Sequence, residues 1–440
     1  MPVRRSSEVP VRTPSVTSST STPSSPVPPA RGADAQESEF TAVSASTTQA
    51  KLTVVRELLA GHTDRKEEKQ LLALFRDASR GELNGLLNAM SPKELHTLIA
   101  DLDDRLLGPD NRTAFVQLLS HDRVGELGVD ARAKLVQALQ YQSTDSLDER
   151  GITNVFLATR GEALTALKNA IDGGGDYRDL QQLVFHDIDS SGLRAQLLEH
   201  FQREATPKDG KVKVLSDIDD TFYLNWTDDR FPKKTIYPGV RALYAELDRG
   251  PDAQKPDRLG DLMFVSARPY DRAGVSEHFS RATMHDAGVT SATVLSGDFA
   301  SLIGNQRIAD KKYENWEAVR VLYPEYGSVF LGDSGQGDAL FGARAAAARG
   351  DMRAVFIHNV TNLDAAGKAE WAEKGVVVFD TYVGAAVEAF KRGLISKPGL
   401  ARVVSEASRE LAEVPFTSPA QRAARQAELD ADIAVARALL

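Results

Sequence analysis

Three carboxylates fall within four positions in "DIDDT", residues 217–221, directly after the apolar run "KVKVLS". Asp217, Asp219 and Asp220 repel one another at neutral pH, so something must offset that charge: solvent, a cation or chemistry. Further polar groups follow other apolar runs. Ser266 sits in "FVSARPY", Lys311 and Lys312 open a helical stretch, and "GDSGQGD" (332–338) supplies Asp333 and Asp338 after "SVFL". Hard oxygen ligands in small number suit Mg²⁺ and not zinc. With the cation offsetting the repulsion, one carboxylate can attack phosphorus while a second, two residues on, moves the leaving-group proton. An ammonium and a hydroxyl would then stabilise charge on the transferring phosphoryl oxygens.

The elements that must position these groups follow from the patterning after about residue 207. Short apolar runs ("KVKVLS", "DLMFVS", "ATVLSG", "GSVFLGD", "RAVFIHN", "GVVVFD") alternate with helical stretches such as "PGVRALYAELDRG" and "KYENWEAVRVLYP". That alternation predicts an α/β fold with a parallel sheet covered on both faces, ligands lying beyond the strands' carboxyl ends. Residues 48–205 read as all-helical, as in "SPKELHTLIADL", where Ser91, Pro92 and Glu94 form a helix start. "LFRDASRGELNGLLNAM" from Leu74 resembles "VFLATRGEALTALKNAI" from Val155, so two related helical units are expected, a scaffold or protein-binding domain more than a catalytic one. Residues 1–47, rich in Ser, Thr and Pro, predict a disordered tail. Residues 398–440 predict an amphipathic terminal helix with Ser418, Pro419 and Gln421 as a capping box, docked on the protein's own core.

The four motifs "DIDDT", "FVSARP", Lys312 and "GDSGQGD" match, in order, those of the haloacid dehalogenase-like phosphatases. More narrowly, "SDIDDT" with "LGDSGQGD" resembles the App1-type phosphatidate phosphatase catalytic domain, related to the lipins, over about 207–397. The resemblance implies a Rossmann-like fold and Mg²⁺-dependent hydrolysis of phosphatidate to diacylglycerol. Carried over, Asp217 is the nucleophile and Asp219 the general acid/base. Asp217, Asp333 and the Asp219 backbone carbonyl hold the metal, and Ser266 and Lys312 bind phosphate, Lys312 being preferred over Lys311 by spacing. Asp338 and Thr221 support, and Asp220 serves as a family mark with no superfamily-wide catalytic role. Relatives usually read Ser-Asn-Ser-Pro-Trp where this chain has Ser266-Ala267-Arg268-Pro269-Tyr270, so Arg268 adds a bidentate anion binder and leaves a soluble phosphomonoester open as substrate. A lipid-binding module with a vestigial site is the alternative of another class, and retention of both Asp217 and Asp219 speaks against it.

Composition narrows the rest. The 440-residue chain carries 42% hydrophobic residues and a net charge of −9, which gives no case for nucleic-acid binding. It has no cysteine, hence no thiolate chemistry. No apolar run spans a bilayer and no Sec-type leader is visible, so a cytoplasmic protein, peripheral at membranes or exported by a non-Sec route, is expected. "FYLNWTDDRFPKKTIYPG" (222–239), aromatic and basic, suits either a headgroup-level anchor or a flap over a soluble substrate. "DLDD" (101–104) reads as a solvated helix end, and "DIDSSG" (187–192) lacks the twelfth-position Glu of a calcium loop, having Leu198. Asp380 reads as a helix N-cap.

Overall fold

The computed structural model describes residues 47–61, 63–102, 110–173, 179–205, 212–252, 262–269, 293–297, 304–348 and 351–440. The Ser/Thr/Pro-rich tail and the acidic pair at 103–104 lie outside them. Ten helices come first: α1 (47–58), α2 (Arg65–Asp77), α3 (Arg80–Ala89), α4 (Pro92–Asp101), α5 (Asn111–Gln117), α6 (Val129–Leu139), α7 (Ser146–Leu157), α8 (Gly161–Asp172), α9 (Leu180–Gln182) and α10 (Ser191–Glu204). Reciprocal capping boxes start α2, α3, α4 and α7, including the expected Ser91–Glu94 pair. The two similar stretches each run from the end of one helix (α2, α7) through the next (α3, α8). Asp187 accepts from Gln140 and Gln182, and Ser190 caps α10, so "DIDSSG" serves as a helix junction.

The second half is α/β. β1 (Val212–Ser216), α11 (Val240–Arg249), β2 (Leu262–Pro269), β3 (Thr293–Gly297), α12 (Asn305–Leu322), β4 (Gly327–Asp333), α13 (Asp338–Ala347), β5 (Met352–His358), α14 (Ala365–Glu373), β6 (Val377–Phe379), α15 (Tyr382–Lys391), α16 (Lys397–Glu413) and α17 (Pro419–Leu439) follow. The strands form one six-stranded sheet in the order β3-β2-β1-β4-β5-β6, every pairing parallel. All six expected strands are present.

Because successive strand residues point to opposite faces, the sheet feeds two cores. Leu215, Met263, Val265, Phe330, Val355 and Ile357 face α12, α13 and, continuous with them, the helical half. Val214, Phe264, Val329, Leu331 and Phe356 face α11 and α15–α17. The C-terminal stretch therefore holds two helices where one was expected, and Leu400, Val403, Leu411, Leu429 and Ile433 bury against the protein's own core. Ser418 caps α17, but the Gln421 amide donates to the Asp229 carbonyl instead of closing a capping box. The sequence order reverses between β1 and β4, which puts a crevice between their carboxyl ends.

Candidate active site

Asp217 and Asp333 flank that crevice. β1 and β4 run in register with Ser216 opposite Leu331, and the Asp217 N–H donates to the Leu331 carbonyl (2.9 Å). Asp217 is thus still held by the ladder as its side chain leaves the strand. Asp338 opens α13, and Gly332 lets it pack tightly: a Cβ there would lie 2.4 Å from Asp338 Oδ2. Carboxylate oxygens of Asp217, Asp333 and Asp338 all lie within 4.8 Å of one another. Into this cluster α12 projects Lys312, whose Nζ is 2.6 Å from Asp217 Oδ1 and 2.5 Å from Asp338 Oδ1. Lys311, one residue earlier, pairs with Glu314 toward the surface.

Three buried carboxylates share one ammonium, and their protonation responds. Burial, with the charges of Asp338 and Asp219 adding and Lys312 opposing, pushes the Asp217 carboxyl up to about 7. Burial and the neighbouring Asp338 and Asp217 hold Asp333 well above the usual carboxylate range. Burial works against the Lys312 ammonium, but Asp217 and Asp338 outweigh it and raise its pKa. Asp333 Oδ1 accepts the Gly335 N–H, whereas its Oδ2 is buried with no hydrogen-bond partner among the described residues. An unpaired buried oxygen costs about 1–3 kcal/mol in a neutral group and more in a charged one. A hard divalent cation at Asp217 and Asp333 would satisfy that oxygen and offset the excess negative charge, so the donor set fits Mg²⁺.

The turn after β1 gives the other two aspartates unequal work. Asp219 is half-buried, and its Oδ1 accepts from Asn225 Nδ2 (2.7 Å). Asp220, fully buried, is left-handed (φ 58°), a conformation Asp tolerates better than most residues. Its carboxylate accepts the N–H groups of Asn225, Trp226 and Thr227. Asp220 is therefore an architectural residue as well as a family mark. Thr221 is buried; its carbonyl accepts from the Tyr382 hydroxyl, while its Oγ1 has no partner among the described residues.

A second layer, not anticipated from the sequence, holds this turn. His358, ending β5, donates from Nδ1 to the Asp220 carbonyl (3.1 Å) and accepts at Nε2 from Arg230 (2.9 Å), which assigns its neutral tautomer. Arg230 forms a bidentate pair with Asp228, and Tyr237 donates to the same carboxylate. Burial, then the adjacent Arg230 charge, lowers His358 to about 3, so it stays neutral. His358 lies at a strand end like Asp217 and Asp333, and that position was the available signal.

Two sequence readings need correction. Asp380 does not cap the helix after β6: Thr381 does, through the Gly384 N–H, and Asp380 instead accepts from Asn359 and Lys368. Within the aromatic segment, Phe222, Tyr223 and Tyr237 are core residues, not surface anchors, Phe231 is half-buried, and Trp226 is exposed. Ser266 and Arg268 lie in β2, beyond the Phe264–Ser216 pairing, and their side chains fall outside the described residues.

The described residues thus form a doubly wound α/β sheet with acidic residues and a buried lysine at its switch point. The family comparison falls on the same elements: residues 212–359 match the phosphatidate phosphatase APP1 catalytic domain. That span runs from β1 to the residue after β5 and contains Asp217, Asp219, Lys312, Asp333, Asp338 and His358. Neither a curated protein nor a solved structure matched the chain.

Proposed function

We propose that the protein is a phosphomonoester hydrolase of the haloacid dehalogenase-like type, with phosphatidate, cleaved to diacylglycerol and phosphate, as substrate. One observation carries the reading. The buried Asp217–Lys312–Asp338 arrangement, with Asp333 beside it, lies inside the stretch that matches the catalytic domain.

Asp217 attacks phosphorus through a carboxylate oxygen, forming an aspartyl-phosphate as the P–O bond to the lipid alkoxide breaks. The Asp219 carboxyl gives its proton to that alkoxide, then, as carboxylate, takes one from the water that attacks the acyl phosphate. Phosphate leaves and both groups return to their starting states. Asn225 fixes the Asp219 carboxylate through the hydrogen bond to Oδ1. Lys312 orients Asp217 and, together with Ser266, binds the phosphoryl oxygens. Mg²⁺, when bound by Asp217, Asp333 and the Asp219 carbonyl, supplies electrostatic stabilisation of the phosphoryl charge.

The test is phosphate release from phosphatidate in mixed micelles beside a panel of water-soluble phosphomonoesters. Asp217→Asn and Asp219→Asn are each expected to lower turnover by about 10³-fold or more with the fold intact. Undiminished turnover in either variant would sink the mechanism. Preference for the soluble panel would remove the lipid and leave the chemistry.

A further inference from the structure

Residues 222–237 leave the β1 turn and return as paired arms, with Leu224 N–H on the Thr235 carbonyl and Tyr237 N–H on the Phe222 carbonyl. Most of its aromatic area is spent on the core. Trp226 is the exception: at 70% exposure it is the most exposed large hydrophobic side chain among the described residues. Its backbone is not loose, since its N–H is held by the buried Asp220 carboxylate. Two exposed lysines converge beside it on one neutral residue. Lys233 Nζ donates to the Asn225 carbonyl (3.3 Å) and Lys234 Nζ to Asn225 Oδ1 (2.6 Å). Among the described residues neither lysine forms an ion pair, so both charges stay unneutralised. The same Asn225 donates to Asp219, which makes this surface continuous with the site.

An indole held in water beside two ammonium groups that meet only neutral partners is out of place on a freely soluble surface and suited to the headgroup layer of a membrane. A chain of net charge −9 is repelled as a whole by an anionic bilayer, so approach depends on a local cationic face. We infer that Trp226, Lys233 and Lys234 form the face on which an anionic phospholipid bilayer docks, the indole at headgroup level and the ammonium groups on lipid phosphates. The choice of occupant rests on the phosphatidate reading. Docking there presents the crevice between β1 and β4 to the membrane surface.

Sedimentation of the full chain with phosphatidylcholine vesicles, with and without about a fifth phosphatidylserine, tests the inference. Wild type is expected to partition onto the anionic vesicles and to be released by salt. Trp226→Ala should weaken partitioning roughly tenfold, and Lys233→Gln or Lys234→Gln about fivefold each. Turnover of a water-soluble phosphomonoester by Trp226→Ala should stay within about twofold, as for a surface change. Failure of wild type to bind, or binding indifferent to all three substitutions, would overturn the docking face. If the variants bind as wild type while phosphatidate in micelles is still hydrolysed, only the docking face is lost. If vesicle binding behaves as expected but micellar phosphatidate is untouched, only the enzymatic reading is lost.

Discussion

Strand β1 begins and ends in buried charge, and its two ends are built differently. At the amino end Lys213 donates to Asn169 Oδ1 and lies 3.8 Å from the Tyr323 ring centroid. Lys168 donates to Glu325 and to the Leu322 carbonyl, and Asp172 accepts from Tyr323 and from the Leu180 N–H. Two ammonium groups there face two carboxylates. This seam joins α8 of the helical half to β1 and to the loop before β4. At the carboxyl end one ammonium, Lys312, faces Asp217, Asp333 and Asp338, and Asp333 Oδ2 has no partner among the described residues. Both clusters are deeply buried, so burial does not separate them. Completeness does: the amino-end cluster is balanced in charge, while the carboxyl-end cluster holds more carboxylate than ammonium and leaves one buried oxygen without a partner among the described residues.

The largest effect that could break this contrast comes from removing the lysine at each end. Lys168→Met and Lys312→Met should each cost about 3–5 kcal/mol in urea unfolding, because each strands buried carboxylate. Mg²⁺ is expected to restore part of the loss in Lys312→Met and none in Lys168→Met. Turnover per folded molecule should fall only in the former. Equal rescue of both would mean that the ends do not differ in kind.

His358 sharpens the contrast from within the carboxyl end, since it is buried yet fully hydrogen-bonded. Its folded pKa of about 3 lies below the ordinary 6.5, so the unfolded chain binds the extra proton as pH falls. Stability from this group is complete above about pH 6.5 and is lost progressively toward pH 3, amounting to about 2 kcal/mol by pH 5. In His358→Gln that acid-side slope should flatten, as measured by denaturant midpoints across the range. An unchanged slope would assign the acid loss to other groups.

The smallest expected effect has the most diagnostic sign. With chelator present, Asp333→Asn should stabilise the protein by about 1 kcal/mol, since the site disfavours the ionised carboxylate and the amide oxygen keeps the Gly335 N–H bond. Asp172→Asn at the balanced end should destabilise. Mg²⁺ should raise the melting temperature of wild type and not of Asp333→Asn. A loss of stability in both variants would show that the two clusters are equally structural.

Much of this was legible in sequence, for a physical reason. Parallel strands buried on both faces are short apolar runs, and polar residues directly after them must reach the sheet's carboxyl edge. Asp217, Asp333 and Asp338 were found by that rule. His358 obeys it too, but one histidine ending "RAVFIH" carries no chemical pattern without Arg230 and Asp228, which lie 128 and 130 positions away. Asn225 escaped because its work depends on a turn that only Asp220 creates. In the aromatic segment, composition cannot tell Trp226 from Phe222: Phe222 packs into the core, while Trp226 sits at a bend whose backbone the buried Asp220 carboxylate holds. Thr381 and Asp380 are both good caps by residue type, and only the backbone shows that Thr381 takes the extended cap conformation and the Gly384 N–H.

The helices behind the sheet carry one more consequence. The stretch that matches the catalytic domain stops at residue 359, before β6 and before α15–α17, whose side chains complete one of the two cores. Gln421 also reaches back to the carbonyl of Asp229, beside the ion pair that holds His358. The portion that matches the family is therefore smaller than the portion that must be made together: an expression fragment cut at 359 would keep Asp217, Asp219, Asp333 and Asp338 and strip α15–α17 from one face of its sheet, leaving α11 and the 222–237 segment to cover it alone.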